Sequence, residues 1–272
     1  MANHVGEVPA SAVSSSNKND LAAAPLSTKM MDDLCSSFAA ATTEPSATFV
    51  LDLGYGFPTE ARPRREKIAA IAKQVTNFLL WRHHQEKKAN CTVSRLVMAL
   101  RSEDAPLEAQ LRERIQQLWH RELPIKSVLP ADSIIFHAGT LESVLEVDGP
   151  DGEESSTAVE VLYLSPDAER VVSSSDRTTT RFWIVGGIID RRVVQTGRSR
   201  ERAQRLALPS ARWPLDAAGS WHPREALNVD CILHALQEWM WTGDLVASTT
   251  QALEQHTRRH PGRPQHQPLK DD

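Results

Sequence analysis

The stretch RFWIVGGIIDRR, Arg181 to Arg192, sets two glycines and an aspartate at the end of an apolar run, with two arginines directly behind. Gly186 and Gly187 carry no side chain, so a ligand or another chain segment can approach the backbone there. Asp190 is a carboxylate in a position to accept a proton or hold a polar ligand. Arg191 and Arg192 are cations suited to phosphate oxygens. The combination offers proton abstraction beside an anionic ligand; the plain alternative is a core strand followed by a charged turn. Spacing argues against several other chemistries. GGIIDRR lacks the third glycine and the following helix of a dinucleotide loop, and the chain has neither a GxxxxGK[ST] loop nor a GxSxG elbow. His83-His84 with Cys91, and His256 with His260, have no second matched pair at ligand spacing, so no metal is expected.

The elements that must position these residues follow from periodicity. Thr48–Leu53 is a buried strand and is followed by a helix whose apolar stripe is Ile68, Ile71, Ala72, Val75, Phe78 and Leu79. Val93–Leu100 suits a second strand. Leu107, Leu111, Ile115 and Trp119 step by four along a second helix. Ser133–His137 is a short strand and Leu141–Val147 a short helix. Beyond the acidic GPDGEESS come the strands Val159–Leu164 and Arg181–Ile189, an Arg-rich helix over Ser199–Ala207, and a strand over Ser210–Leu215. A last helix, with Asn228 as its N-cap, places Val229, Ile232, Leu233, Leu236 and Trp239 on one face. Trp239 belongs to this core face, and the other C-terminal tryptophans are expected in core or domain packing, with stacking on a base the alternative.

Strands alternating with helices, and strands that are apolar almost throughout, argue for an α/β fold with a mainly parallel sheet. Ligands in such sheets bind beyond the carboxyl ends of strands. Three strand ends therefore matter: Leu164 to Asp167, Gly186 to Asp190, and Trp213 to Asp216. Residues 1–46 are rich in Ser, Ala, Asn and Thr and read as a disordered segment, with a short helix near Met30–Phe38. The ordered domain is expected over 47–249, and 250–272 reads as a basic, Pro-rich disordered tail.

Composition fits a soluble globular chain, with 40% hydrophobic and 24% charged residues among 272. No apolar run reaches the roughly 20 residues of a membrane span, and the N-terminus has no secretory leader. Three scattered cysteines point to a reducing compartment. The net charge of −4 argues at first against nucleic acid. The distribution argues otherwise, because Arg191, Arg192, Arg198, Arg200, Arg202 and Arg205 fall in one stretch opposed only by Glu201. Smaller basic groups sit at Arg62, Arg64, Arg65 and Lys67, and at Arg82, Lys87 and Lys88.

In order along the chain come VLYLSPDAE (161–169), FWIVGGIIDRR (182–192), TGRS with AQRLAL (196–208), WPLD (213–216) and ALNVDCILHALQEWMWTGDLVAS (226–248). Together these pieces resemble the SPOUT-class tRNA methyltransferases that modify N1 of the purine at position nine of tRNA. The resemblance is close over about 160–248 and looser over 48–145, where FVLDLG is similar to the family's first catalytic-domain strand. It implies an α/β fold of a mainly parallel sheet with helices on both faces, and a C-terminal trefoil knot in which the last helix threads a loop.

The resemblance further implies S-adenosyl-L-methionine as methyl donor, held by Leu164, Ser165, Gly186, Gly187, Ile188, Arg191, Pro214, Leu215, Leu227, Asn228 and Val229. Asp190 becomes the catalytic carboxylate, accepting the N1 proton if the base is guanine and positioning the base if it is adenine. Arg192, Arg198 and Arg200 become RNA contacts, with tRNA the partner and guanine the expected base. A monomer is expected, in the nucleus or cytoplasm; a protein partner and a mitochondrial location are the alternatives. Two other readings stand beside this one. The first is a catalytically weak or inactive SPOUT-like RNA-binding or processing subunit, motivated by the acidic balance. The second is an N1-adenine methyltransferase.

Overall fold

A computed structural model describes residues 47–86, 94–123, 129–147, 160–188, 197–219 and 227–259. Six parallel strands form one sheet: β1 (Thr48–Asp52), β2 (Arg95–Leu100), β3 (Ile135–Ala138), β4 (Glu160–Leu164), β5 (Thr180–Gly186) and β6 (Ser210–Ala211). Their spatial order is β3-β2-β1-β5-β4-β6. The helices are α1 (Ala61–Glu86), α2 (Leu107–Glu122), α3 (Leu141–Val147), α4 (Asp176–Thr179), α5 (Arg198–Arg205), α6 (Val229–Thr242) and α7 (Leu245–Arg259).

Strand alternation divides the core between two faces. Phe49, Leu51, Leu96, Met98, Leu162, Leu164, Trp183 and Val185 pack with α1, α2, α6 and α7 on one side. Val50, Val97, Ala99, Tyr163, Phe182 and Ile184 pack against α3 and α5 on the other. The expected parallel sheet with helices on both faces is thus the observed one. Helix α6 is buried all round from Val229 to Gln237, which is why it carries apolar residues beyond a single stripe. Trp183, Trp239 and Trp213 meet edge to face inside this core, with centroids 5.5 and 5.7 Å apart. Trp213 also donates its indole N–H to Thr249 Oγ1 at 2.9 Å. The tryptophans of the described C-terminal part are core residues.

Two elements differ most from the sequence expectation. Strand β6 stops at Ala211 instead of Leu215, because Pro214 has no N–H for a ladder and the chain turns into a 3-10 helix at Leu215–Ala218. The C-terminal tail was expected to begin at residue 250, but α7 runs to Arg259 and buries Ala252 and Leu253. One apolar pair in its second half is too little signal for periodicity. The Thr-Gly-Asp sequence between the last two helices is their punctuation. Gly243, at φ 74°, donates to Trp239 O at 2.8 Å and ends α6 in the left-handed conformation a side chain disfavours. Asp244 then accepts the Ala247 N–H at 2.9 Å and caps α7.

Strand β1 is hydrogen-bonded to β2 on one side and β5 on the other. The chain leaving β1 enters α1 on one face of the sheet, whereas α5, the first described helix after β5, lies on the opposite face. The β1–β5 boundary is therefore the switch point at which a doubly wound sheet opens a crevice beyond its carboxyl ends. Residues 189–196 and 220–226 lie outside the described residues, so the knot implied by the resemblance is not traced through them; the expected N-terminal segment and its helix lie outside the described residues as well.

Candidate active site

The carboxyl end of β1 holds a buried carboxylate, Asp52, that accepts from four donors. Gly54 N donates to Oδ1 at 2.8 Å and Tyr163 Oη to Oδ2 at 2.8 Å. Arg202, from α5, donates Nε to Oδ2 at 2.6 Å and a terminal nitrogen to Oδ1 at 3.2 Å. Tyr163 spends its proton on Asp52 and so accepts from Tyr55, whose hydroxyl lies 2.7 Å away. The guanidinium carbons of Arg198 and Arg202 sit 5.5 and 5.6 Å from the centre of the Tyr55 ring. Burial pushes the Tyr55 phenol up to about 12 and raises Tyr163 as well, so both remain neutral donors at physiological pH. With its oxygens engaged by four donors, Asp52 is an anchor and not a free base.

The glycine pair adjoins this network. A Cβ on Gly187 would collide with Leu53 Cδ2 and lie 2.9 Å from the Asp52 carbonyl oxygen, which accepts the Gly187 N–H at 2.8 Å. The close backbone approach at Gly187 is thus that of β1 itself. A Cβ on Gly186 would lie 3.2 Å from the Tyr55 hydroxyl.

The loop after β4 forms a second anchorage. Ser165 and Ser199 share a buried hydroxyl–hydroxyl bond at 3.0 Å. The Asp167 carboxylate accepts the Gly197 N–H at 2.7 Å. Arg200 reaches the Asp167 carbonyl at 3.2 Å and pairs with Glu169 at 2.7 Å. Leu164, Leu215 and Val229 are buried in one core cluster with Leu227 packed against it, while Ile188 and Asn228 are half-buried. Asn228 occupies the N-cap of α6, but its side chain makes no cap bond; Gln74 of α1 instead accepts the Val229 N–H at 2.7 Å. Asp190, Arg191 and Arg192 lie outside the described residues.

Sequence 41–257 matches the model of the tRNA (guanine(9)-N(1))-methyltransferase TRM10/TRM10A family. The chain belongs to this family. The TRM10/TRM10A reaction is S-adenosylmethionine-dependent methylation of N1 of guanine nine in tRNA, so the chain is a tRNA methyltransferase with tRNA as its substrate. Among solved structures, that of spTrm10(74) is similar at 16% identity, with a TM-score of 0.53 over 76% of this chain and 95% of that one. A dual-specific Trm10 from Thermococcus kodakaraensis is similar at 18% identity, with a TM-score of 0.48 over 76% and 99%. No curated protein sequence matches the chain. The TRM10/TRM10A match extends over both the closely and the loosely resembling parts of the sequence.

Asp52, Tyr55, Tyr163 and Arg202 were not among the expected site residues of this TRM10/TRM10A chain. The signal for Asp52 was present, since FVLDLG ends a buried strand in a carboxylate just as FWIVGGIID does. Its side-chain partners Tyr163 and Arg202 are 111 and 150 residues distant, a separation no spacing rule spans. The basic group at Arg62–Lys67 is partly occupied at home: Arg62 pairs with Glu66, while Arg64 and Lys67 hold the carbonyls of Pro58 and Gly56 in the loop after β1. Among the described residues, no three His, Cys, Asp or Glu side chains form a metal-binding group, and no helix is long and apolar enough to cross a membrane.

Proposed function

We propose that Asp190 accepts the N1 proton of guanine nine, that the carboxyl edge of the sheet holds the methyl donor, and that α5 faces the RNA. The support is the switch point itself. Gly187 is hydrogen-bonded to the end of β1, which starts the Asp190 connection at the boundary where such sheets bind ligands. The surrounding residues fit an adenosine-bearing ligand. Leu164, Leu215, Leu227 and Val229 supply apolar surface, Ser165 a hydroxyl and Asn228 a half-buried amide. Ile188, Pro214 and Arg191 complete the proposed lining, and Gly186 and Gly187 fix the backbone beside it. S-adenosylmethionine, when bound, supplies an electrophilic methyl group.

Guanine N1 carries a proton at neutral pH, and that proton must leave for N1 to carry a methyl group. A carboxylate at the strand end accepts it. Arg198 is exposed on α5 beside an open concavity of about 530 Å³ that it lines with Glu201, Gln204 and Arg205. With Arg192 it meets the phosphates, and Arg200, also on α5, stands behind them against the loop after β4. The chain acts as a monomer on tRNA.

Asp190→Asn tests the central assignment. N1-methylguanosine formed on unmodified tRNA, measured by nucleoside mass spectrometry, is expected to fall on the order of 10²- to 10⁴-fold in rate with tRNA binding retained. An unchanged rate overturns the role of Asp190.

A further inference from the structure

The connection 188–196 carries Asp190, and the structure fixes the residues at both of its ends. At its start, Gly187 donates to the Asp52 carbonyl oxygen at 2.8 Å. At its finish, Gly197 donates to the Asp167 carboxylate at 2.7 Å, and Ser199 is bonded to Ser165 at 3.0 Å. The helix that follows is tied back to the Asp52 carboxylate through Arg202. Asp52 therefore serves both ends, with its main chain at one and its side chain at the other. The Asp167 side chain acts at the finish only. It is half-buried, and among the described residues its carboxylate accepts one hydrogen bond from another element, that of the Gly197 N–H.

From this we infer that Asp167 is a positioning residue for methyl transfer, fixing where the Asp190 connection re-enters the fold. The inference rests on the proposed role of Asp190. A catalytic group must be held within a fraction of an ångström of its productive place, and a displacement of about 1 Å far from the chemistry can lower a rate by about 100-fold. The hydrogen bond needs an acceptor oxygen at residue 167 and no negative charge. An asparagine can supply that oxygen; an alanine cannot. The Arg200 bond is made to the main-chain carbonyl of Asp167 and survives either change.

Full-length D167A and D167N are compared with the parent in single-turnover methylation of unmodified tRNA, together with tRNA affinity and thermal midpoint. D167A is expected to lower the single-turnover rate by about 10- to 100-fold while tRNA affinity and the midpoint stay near the parent's. D167N is expected to restore most of the rate. A D167N rate as low as that of D167A overturns the inference, because the charge and not the acceptor would then matter. So does a D167A loss that merely follows a fall in the thermal midpoint. D190N separates the two proposals. An unchanged D190N rate alongside the D167A/D167N split refutes Asp190 as base and leaves the positioning role standing. D52N is less decisive, because it also disturbs the buried Arg202 pair.

Discussion

At the carboxyl ends of β2 and β3 the chain is closed by partners a few residues away, whereas those of β1, β4 and β5 are closed by partners from across the fold. Arg101, just past β2, bonds to Asp104 at 2.7 Å. His137 of β3 donates to Ser143 Oγ at 2.8 Å, and Ser143 donates to Thr140 O at 2.7 Å. Each of these bonds forms as soon as the local turn forms. The other half of the edge depends on Asp52 meeting Arg202, 150 residues on, and Tyr55 meeting Tyr163, 108 residues on. A local closure stabilises its own turn. A long-range closure fixes one strand end relative to another, which is what a site assembled from several loops requires.

The sharpest way to break this comparison is to remove one arginine from each half. Asp52 is 1% exposed and the Arg202 side chain 18%. Arg202→Ala leaves the carboxylate buried without its counter-charge, and the expected loss is about 3–5 kcal/mol. Arg101 is 38% exposed, and Arg101→Ala is expected to remove about 1 kcal/mol or less. Urea-unfolding midpoints of the two variants measure the difference. Equal losses would mean that the two halves of the edge are closed with equal strength.

The same contrast separates what could be read from the sequence from what could not. The sheet, its flanking helices and the strand ends at Leu164 and Gly186 were legible, because apolar periodicity records burial one element at a time. Asp190 stood out for the same reason, as a charge ending an apolar run. Asp52 ends its run in the same way, but its meaning lies in Tyr163 and Arg202, and pairing across the sheet leaves no local trace. Arg202 looked like one more member of a basic cluster, although its guanidinium faces inward. Asp167 sat inside a recognisable strand-end sequence without a role, because its partner is a backbone N–H that no residue type announces. The end of α7 was missed because Ala252 and Leu253 alone carry its last buried turns.

A smaller loss is expected when the relay loses a link and keeps its charges. Tyr163→Phe removes the donor at 2.8 Å from Asp52 and the acceptor for Tyr55. The expected destabilisation is about 1–3 kcal/mol, below that of Arg202→Ala because the ion pair survives. A Tyr163→Phe midpoint equal to the parent's would mean that the phenol relay adds nothing to the long-range closure.

The smallest effect is one of pH. Burial raises Tyr55 from 10.0 to about 12 in the folded chain, so folding favours its neutral form. A group raised on folding gives its full contribution below its unfolded value and loses it as pH climbs towards the folded one. The Tyr55 contribution is therefore constant up to about pH 10 and declines between about pH 10 and 12. Tyr163 is raised in the same direction and steepens the decline. Tyr55→Phe has no proton to lose, so its stability should fall less than the parent's between about pH 10 and 12, measured as the shift in urea midpoint. Arg101, whose closure contains no phenol, provides the control: Arg101→Ala should keep the parent's alkaline slope. Parallel slopes for Tyr55→Phe and the parent would show that the Tyr55 hydroxyl is not held in the neutral, buried relay that ties β1 to β4.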